Sequence, residues 1–232
     1  MGVDLSFLVR SLAEQATPEP GTGLLRLPTE RDLVASLDIS RGALREQLSM
    51  LEMLGFLTRT QGRGSYLGVP DAGFIQLYFD LSNELGQLGG GQFRSAREML
   101  EISMSEAAAR LATADDVEVL RGLVDEMVRA SAAGEDDRAL EADLDFHRRL
   151  FTIVDNPIFT LLHDGLGHVL RDEVVDRRRA AVERAPLAPG EDRIIDTVHY
   201  GIVDAVADRD GEAARAAMRH HFEVWSSLTG EG

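Results

Sequence analysis

The chain has no cysteine, which excludes disulfides, thiolate chemistry and cysteine-ligated zinc. It has no lysine either, so all 24 basic residues are arginine. No run approaches the ~18–20 consecutive apolar residues that a membrane span needs. Met1–Arg10 lacks a basic stretch followed by an apolar one, so no secretory signal is expected. Together these absences predict a cytoplasmic protein that does not enter a membrane.

What is present is ordinary for a globular chain: 44% hydrophobic and 28% charged residues over a length of 232, which suits two small domains. The net charge of −16 is unevenly spread. Residues 1–70 hold seven arginines and eight acidic residues, whereas the other 162 hold 17 and 32. An acidic body repels phosphates, so any contact with nucleic acid belongs to the first part.

Leu5, Leu8, Val9 and Leu12 predict a first helix, followed by a breaker-rich loop at 17–23. Thr29 and Asp32 form a near relative of a capping box ahead of Leu33, Val34 and Leu37. After a turn at Asp38-Ile39, Ser40 is placed to cap a helix carrying Leu44, Leu48, Leu51 and Leu54, which Gly55 stops. Phe56–Thr60 and Ser65–Val69 read as strands around the hairpin tip Gln61-Gly62-Arg63-Gly64. That order is a winged helix-turn-helix. Beyond Val69-Pro70-Asp71 the chain reads as helical throughout. A connector at 74–88 is closed by Gly89-Gly90-Gly91. Helices follow at 93–112, 115–132, 136–154, 157–183, 191–208 and 211–228, punctuated by Pro157, the run Pro186–Gly190, and Gly211. With no strand-like alternation and no internal repeat there, an antiparallel helical bundle is the economical architecture. The expected fold is mostly α: residues 1–70 the reading head, 71–92 a connector, 93–232 the bundle.

Arg41 and Arg45 are four apart at the start of the helix that follows the turn, on the face opposite its leucine stripe. There, side chains meet base edges, and arginine is the best bidentate partner for guanine. Arg31 and Arg63 extend the basic surface; each arginine taken singly could equally be a solvated surface residue. The runs Leu27-Pro28-Thr29-Glu30-Arg31-Asp32-Leu33, Ile39-Ser40-Arg41-Gly42-Ala43-Leu44-Arg45-Glu46, Leu51-Glu52 with Gly55-Phe56-Leu57, and Gly62-Arg63-Gly64-Ser65 resemble the winged-helix signature of the GntR family. The resemblance implies DNA contacts by Arg31, Arg41 and Arg45 and a wing that Gly64 lets approach the minor groove, with Ser40 and Arg63 as further DNA-binding candidates. Gly42 departs from it, standing where the family usually offers a side chain to the backbone.

In the second part, Asp143 and His147 share one helical face, while His199 and His221 lie on later helices. One carboxylate and three imidazoles suit zinc, nickel, manganese or iron, although scattered histidines are more often structural. Arg97-x-x-x-Glu101 with Ala107–Ala112, Asp143-x-x-Phe146-His147, Asp155-Asn156, His199-x-x-Ile202-Val203-Asp204-Ala205 and Met218-x-x-His221 resemble the FCD domain of the FadR subfamily. That resemblance implies a divalent metal, zinc before nickel or manganese, on Asp143, His147, His199 and His221. Arg97 is either an intrahelical partner of Glu101 or an effector-binding residue facing the pocket. His220, His163 and His168 fall outside the set, Asp145 and Asp155 read as surface or capping residues, and Met218, Phe222 and Trp225 read as packing.

The two resemblances imply a homodimeric, non-enzymatic transcriptional regulator, a repressor or activator, on a pseudo-palindromic double-stranded operator. A small carboxylate metabolite is the implied effector. The alternatives are a metal-free pocket for a larger acyl ligand, and a metal-dependent hydrolase, for which no general base stands in a recognisable spacing.

Overall fold

The computed structural model describes residues 4–184 and 191–229; the breaker run Pro186–Gly190 lies outside them. Two compact units divide the chain, Met1–Tyr78 and Phe79–Gly232.

The first unit is built on α1 (Leu5–Gln15), α2 (Glu30–Leu37) and α3 (Arg41–Met53), with four short strands: β1 (Thr17–Pro18), β2 (Leu25–Arg26), β3 (Leu57–Thr60) and β4 (Gly64–Leu67). Capping fixes where the helices begin. The Thr29 hydroxyl accepts from Asp32 N at 3.3 Å and donates to Asp32 Oδ2 at 2.6 Å, and Ser40 Oγ accepts from Ala43 N at 3.2 Å; such caps contribute about 1 kcal/mol each. Asp38 ends α2 at φ 52°, a left-handed conformation that short polar side chains tolerate. Leu8, Leu12, Leu33, Leu44, Leu48 and Leu51 bury one stripe of each helix in a shared core. Gly55, at φ 79°, turns the chain from α3 into β3.

All strand pairs are antiparallel, in the order β1-β2-β4-β3. The breaker-rich loop expected at 17–23 therefore contains a strand and pairs back on β2. Two-residue strands leave no alternation to see in a sequence. The hairpin strands are also shorter than expected, because pairing starts at Leu57 and stops at Leu67.

Every remaining element is helical, and the described residues from Phe79 onward contain no strand. They form α4 (Gly73–Glu84), α5 (Gly90–Leu111), α6 (Ala114–Ala132), α7 (Asp136–Val154), α8 (Pro157–Val169), α9 (Arg171–Arg184), α10 (Ile194–Thr197), α11 (His199–Ala207) and α12 (Gly211–Thr229). Three boundaries differ from the sequence expectation. Gly90 and Gly91 open α5 instead of closing a linker, with Gly89 N–H donating to Gln92 Oε1 at 2.7 Å. A β-carbon on Gly90 would stand 2.9 Å from Glu173 Oε2, so a larger residue there would make the Glu173 side chain shift. The helix expected at 157–183 breaks at Leu170, and the one at 191–208 breaks at Val198.

The core of this unit lies among α5, α6, α7, α11 and α12, around Leu120, Val124, Met127, Phe146, Leu150, Ile202, Val203 and Met218. Phe146 meets the rings of His147 and His199 edge-on, at centroid distances of 5.6 and 5.0 Å. The apolar core thus abuts a buried polar centre on the same helices. No helix of the described residues is long and apolar enough to cross a membrane.

Candidate functional site

On the first unit, Arg31, Arg41 and Arg45 are all exposed at the starts of α2 and α3. Glu30 Oε2 accepts from Arg45 Nε at 2.8 Å. That bond ties α2 to α3 and fixes the guanidinium while leaving both terminal nitrogens to bind elsewhere. Ser40, expected among the DNA-binding residues, serves the α3 cap. Arg63 sits exposed at the tip between β3 and β4, and Gly64 takes φ 127°, which only glycine adopts readily. Arg26, which sequence reasoning passed over, reaches from β2 to the wing tip, where its Nη2 donates to Arg63 O at 3.0 Å, and Tyr66 OH donates to the same carbonyl at 3.3 Å. The wing tip is held by side chains as well as by its ladder.

In the second unit, Asp143 and His147 from α7, His199 from α11 and His221 from α12 come together, all buried. One donor atom from each lies within 4.8 Å of all the others. Ligands at about 2.1 Å from a common ion can be no more than about 4.2 Å apart, so a shift of a few tenths of an ångström per ligand would close the set. Asp143 Oδ1 stands 3.1 Å from His199 Nε2 and 3.9 Å from His147 Nε2. All three atoms are buried without a hydrogen-bond partner, as is His221 Nδ1.

The outer sides of the imidazoles are held. His199 Nδ1 donates to Asp196 O at 2.9 Å. Asp196 is itself buried and takes Arg178 Nη2 on its Oδ1 at 2.8 Å, while the same nitrogen donates to Ser131 Oγ at 2.9 Å. His147 Nδ1 lies 2.7 Å from Glu101 Oε2, a close contact whose alignment is not that of a full hydrogen bond. Glu101 in turn accepts Arg97 Nε on its other oxygen at 2.6 Å. The pair expected as an intrahelical i,i+4 interaction does form, is buried at Glu101 and backs the centre. Its spacing was visible in the sequence; its burial depends on α7 and α8 packing over it. Trp225, expected as packing, donates its indole N–H to His221 Nε2 at 3.1 Å. Its place one turn after His221, on the same helical face, was the available signal.

Electrostatics keep the two carboxylates of this centre ionised. Burial raises the Asp143 carboxyl, but the His199 contact and the charges of the other imidazoles outweigh it and hold the group well below the usual carboxylate range. Burial likewise opposes the Glu101 anion, and Arg97, then His147, overcome it. Burial, followed by the neighbouring His199 and His147, keeps His221 neutral to well below its usual value. A cavity of about 30 Å³ adjoins the centre, bordered by Arg97, Asp143, Arg177, His221, Phe222 and Trp225.

The histidines outside the set are accounted for otherwise. His163 stacks on Phe151 and is pushed down to about 4 chiefly by burial. His168 contacts Asp80 at 3.1 Å, and exposed His220 lies 3.7 Å from Glu223. Asp145 is exposed, and Asp155 caps α7 at φ 52°.

Comparison with known proteins bears on both units. The family model described as "Bacterial regulatory proteins, gntR family" matches residues 19–67, and that described as "FCD domain" matches residues 92–224. The HTH-type transcriptional repressor NanR of Cronobacter sakazakii is 30% identical over 210 residues, 88% of this chain and 78% of that protein. NanR of an Enterobacter species is 29% identical over 205 residues, 87% and 76% of the two chains. Among solved structures, Streptococcus agalactiae GntR superposes with a TM-score of 0.60 at 23% identity, covering 95% of this chain and 97% of its own, a likeness of fold.

Proposed function

This chain belongs to the GntR family of bacterial regulatory proteins and carries an FCD domain, so it is a DNA-binding transcriptional regulator and not an enzyme; we propose that it is a repressor whose hold on its operator is set by a small carboxylate at a divalent metal centre. The observation that carries the metal reading is the pair Asp143 Oδ1 and His199 Nε2, 3.1 Å apart and buried. A neutral His199 has committed its proton to Asp196 O, so neither atom has a hydrogen for the other. Two buried acceptors facing one another without a donor are costly unless a cation lies between them.

Asp143, His147, His199 and His221 would hold the ion, and the nitrogen and oxygen donor set suits zinc, with nickel or manganese as alternatives. A bound divalent ion would supply the positive charge and open positions that take a carboxylate. Arg97 borders the adjoining cavity and would orient that anion, within a wall that also includes Arg177. The cavity of about 30 Å³ and its charged border fit a small polar effector better than a long acyl chain. Glu101 fixes the His147 ring. Replacing it by glutamine is expected to weaken metal binding about tenfold, in line with the loss of other partners that orient a ligating histidine; competition against a fluorescent chelator reads this directly.

On the first unit, Arg41 and Arg45 would read bases, with Arg31 and Arg63 on the backbone. Each chain carries one α3, so a pseudo-palindromic operator calls for a homodimer. Elemental analysis of the purified full chain is expected to find about one divalent ion per chain, lost on chelation. Binding to duplexes recovered by selection from a random pool should then change when small carboxylates are added to the loaded protein and not to the stripped one. A protein that takes up no divalent ion overturns the metal reading, and one with no duplex affinity at low salt overturns the assignment of these arginines.

A further inference from the structure

Three imidazoles face one space in the helical unit, but their outer nitrogens are held by partners of opposite kind. His147 Nδ1 meets a carboxylate, Glu101 Oε2, at 2.7 Å, and His199 Nδ1 meets a carbonyl, Asp196 O, at 2.9 Å. Both partners are acceptors: the carbonyl fixes the His199 proton on Nδ1 and leaves the Nε2 lone pair for the centre, and the carboxylate beside His147 Nδ1 favours the same tautomer there. His221 is the exception. Its Nε2 takes the indole N–H of Trp225 at 3.1 Å, and an indole N–H only donates. The neutral ring must then carry its own proton on Nδ1, which is buried and has no hydrogen-bond partner.

We infer that Trp225 competes with the metal for His221, so that Asp143, His147 and His199 form a ready three-ligand site whose fourth ligand is released only when the indole lets go. The inference rests on the metal reading above. A cation on Nε2 needs the lone pair that the indole occupies. A cation on Nδ1 moves the proton to Nε2, where it would point at the indole N–H. An imidazolate would offer both lone pairs, but it would add negative charge to a buried space that already holds Asp143 and Glu101. One ring cannot serve both partners. Trp225 also borders the small cavity beside the centre, so a shift of the indole changes the room available there.

Trp225 is the only tryptophan in the chain, so intrinsic fluorescence reports on this ring alone. Zinc is the probe, because a d¹⁰ ion has no redox chemistry to quench emission. Titration of the chelator-stripped full chain against a competing chelator gives affinity and emission together. Zinc is expected to shift the emission of the native protein, and to bind His221→Ala without shifting it. Trp225→Phe, which keeps a ring against Ala181, Ile195 and Leu228, is expected to bind zinc about three- to tenfold more tightly, the factor for removing one hydrogen bond from the competing state. Should Trp225→Phe fail to fold, the native and His221→Ala emissions decide. Unchanged native emission at full zinc occupancy, or a Trp225→Phe affinity that is no tighter, overturns the inference. No zinc uptake by the native chain or by Trp225→Phe overturns the metal reading, and this inference with it.

Discussion

Replacing Arg45 by alanine is expected to weaken binding to a selected operator by about 10- to 100-fold, the range for one bidentate base contact worth about 1–3 kcal/mol. Binding to a scrambled duplex should fall far less, since one charge among many is lost. On the proposed reading the geometry gives this arginine more than its charge. Glu30 Oε2 accepts from Nε at 2.8 Å, so the guanidinium is oriented by its inner nitrogen and presents the outer pair, the arrangement that matches the two acceptors of guanine. Arg45→Lys should therefore fail to restore selectivity, because an ammonium is a point charge without a fork. Glu30→Gln should cost less, no more than about fivefold, because exposed ion pairs contribute about 0.2–1 kcal/mol. Fluorescence anisotropy on both duplexes at one fixed salt concentration checks all three. An Arg45→Ala protein with an unchanged ratio of operator to scrambled affinity would remove Arg45 from base readout.

Much of this arrangement was legible before any coordinates. Thr29 and Ser40 announce helix starts because a cap is a local interaction between residues two or three apart, and the leucines of α3 repeat at a spacing that only one buried face explains. The four-residue centre was legible for a different reason: resemblance carried Asp143, His147, His199 and His221 together, although spacing alone left them scattered. The rest was hidden because it is tertiary. β1 and β2 are two residues each, β1 pairing only with β2, and β2 reaching the hairpin through β4. The break at Leu170 carries no proline or glycine at the break itself. Glu101 and Asp196 look like surface acids in a chain with 40 of them, and only packing shows that each is buried against an arginine and a histidine. Trp225 was read as packing, which it is, but its N–H is what touches the centre.

The Asp143→Asn substitution is expected to reverse sign with metal. On the proposed reading it removes, in the loaded protein, the one anionic ligand among four, so metal affinity should fall by at least about 100-fold, beyond the effect of losing an orienting partner. In the stripped protein the change repairs a defect. The native Asp143 Oδ1 faces His199 Nε2 at 3.1 Å with no proton between them when His199 is neutral, whereas an amide at that position can turn its N–H₂ toward the same nitrogen and donate. The chelated variant should therefore melt at or above the chelated native protein. A ligand present at 100 times its dissociation constant stabilises the fold by about 2.7 kcal/mol, and each kcal/mol moves the midpoint of a unit this size by about 2–4 °C. The native chain should consequently gain about 5–11 °C on adding zinc, and Asp143→Asn almost nothing. Thermal denaturation of both proteins, with chelator and with zinc, gives four midpoints. If the variant keeps the zinc-dependent rise, Asp143 is not a ligand. If the native protein shows no rise while the chelated variant is the more stable, the buried carboxylate is a structural liability with no metal to relieve it.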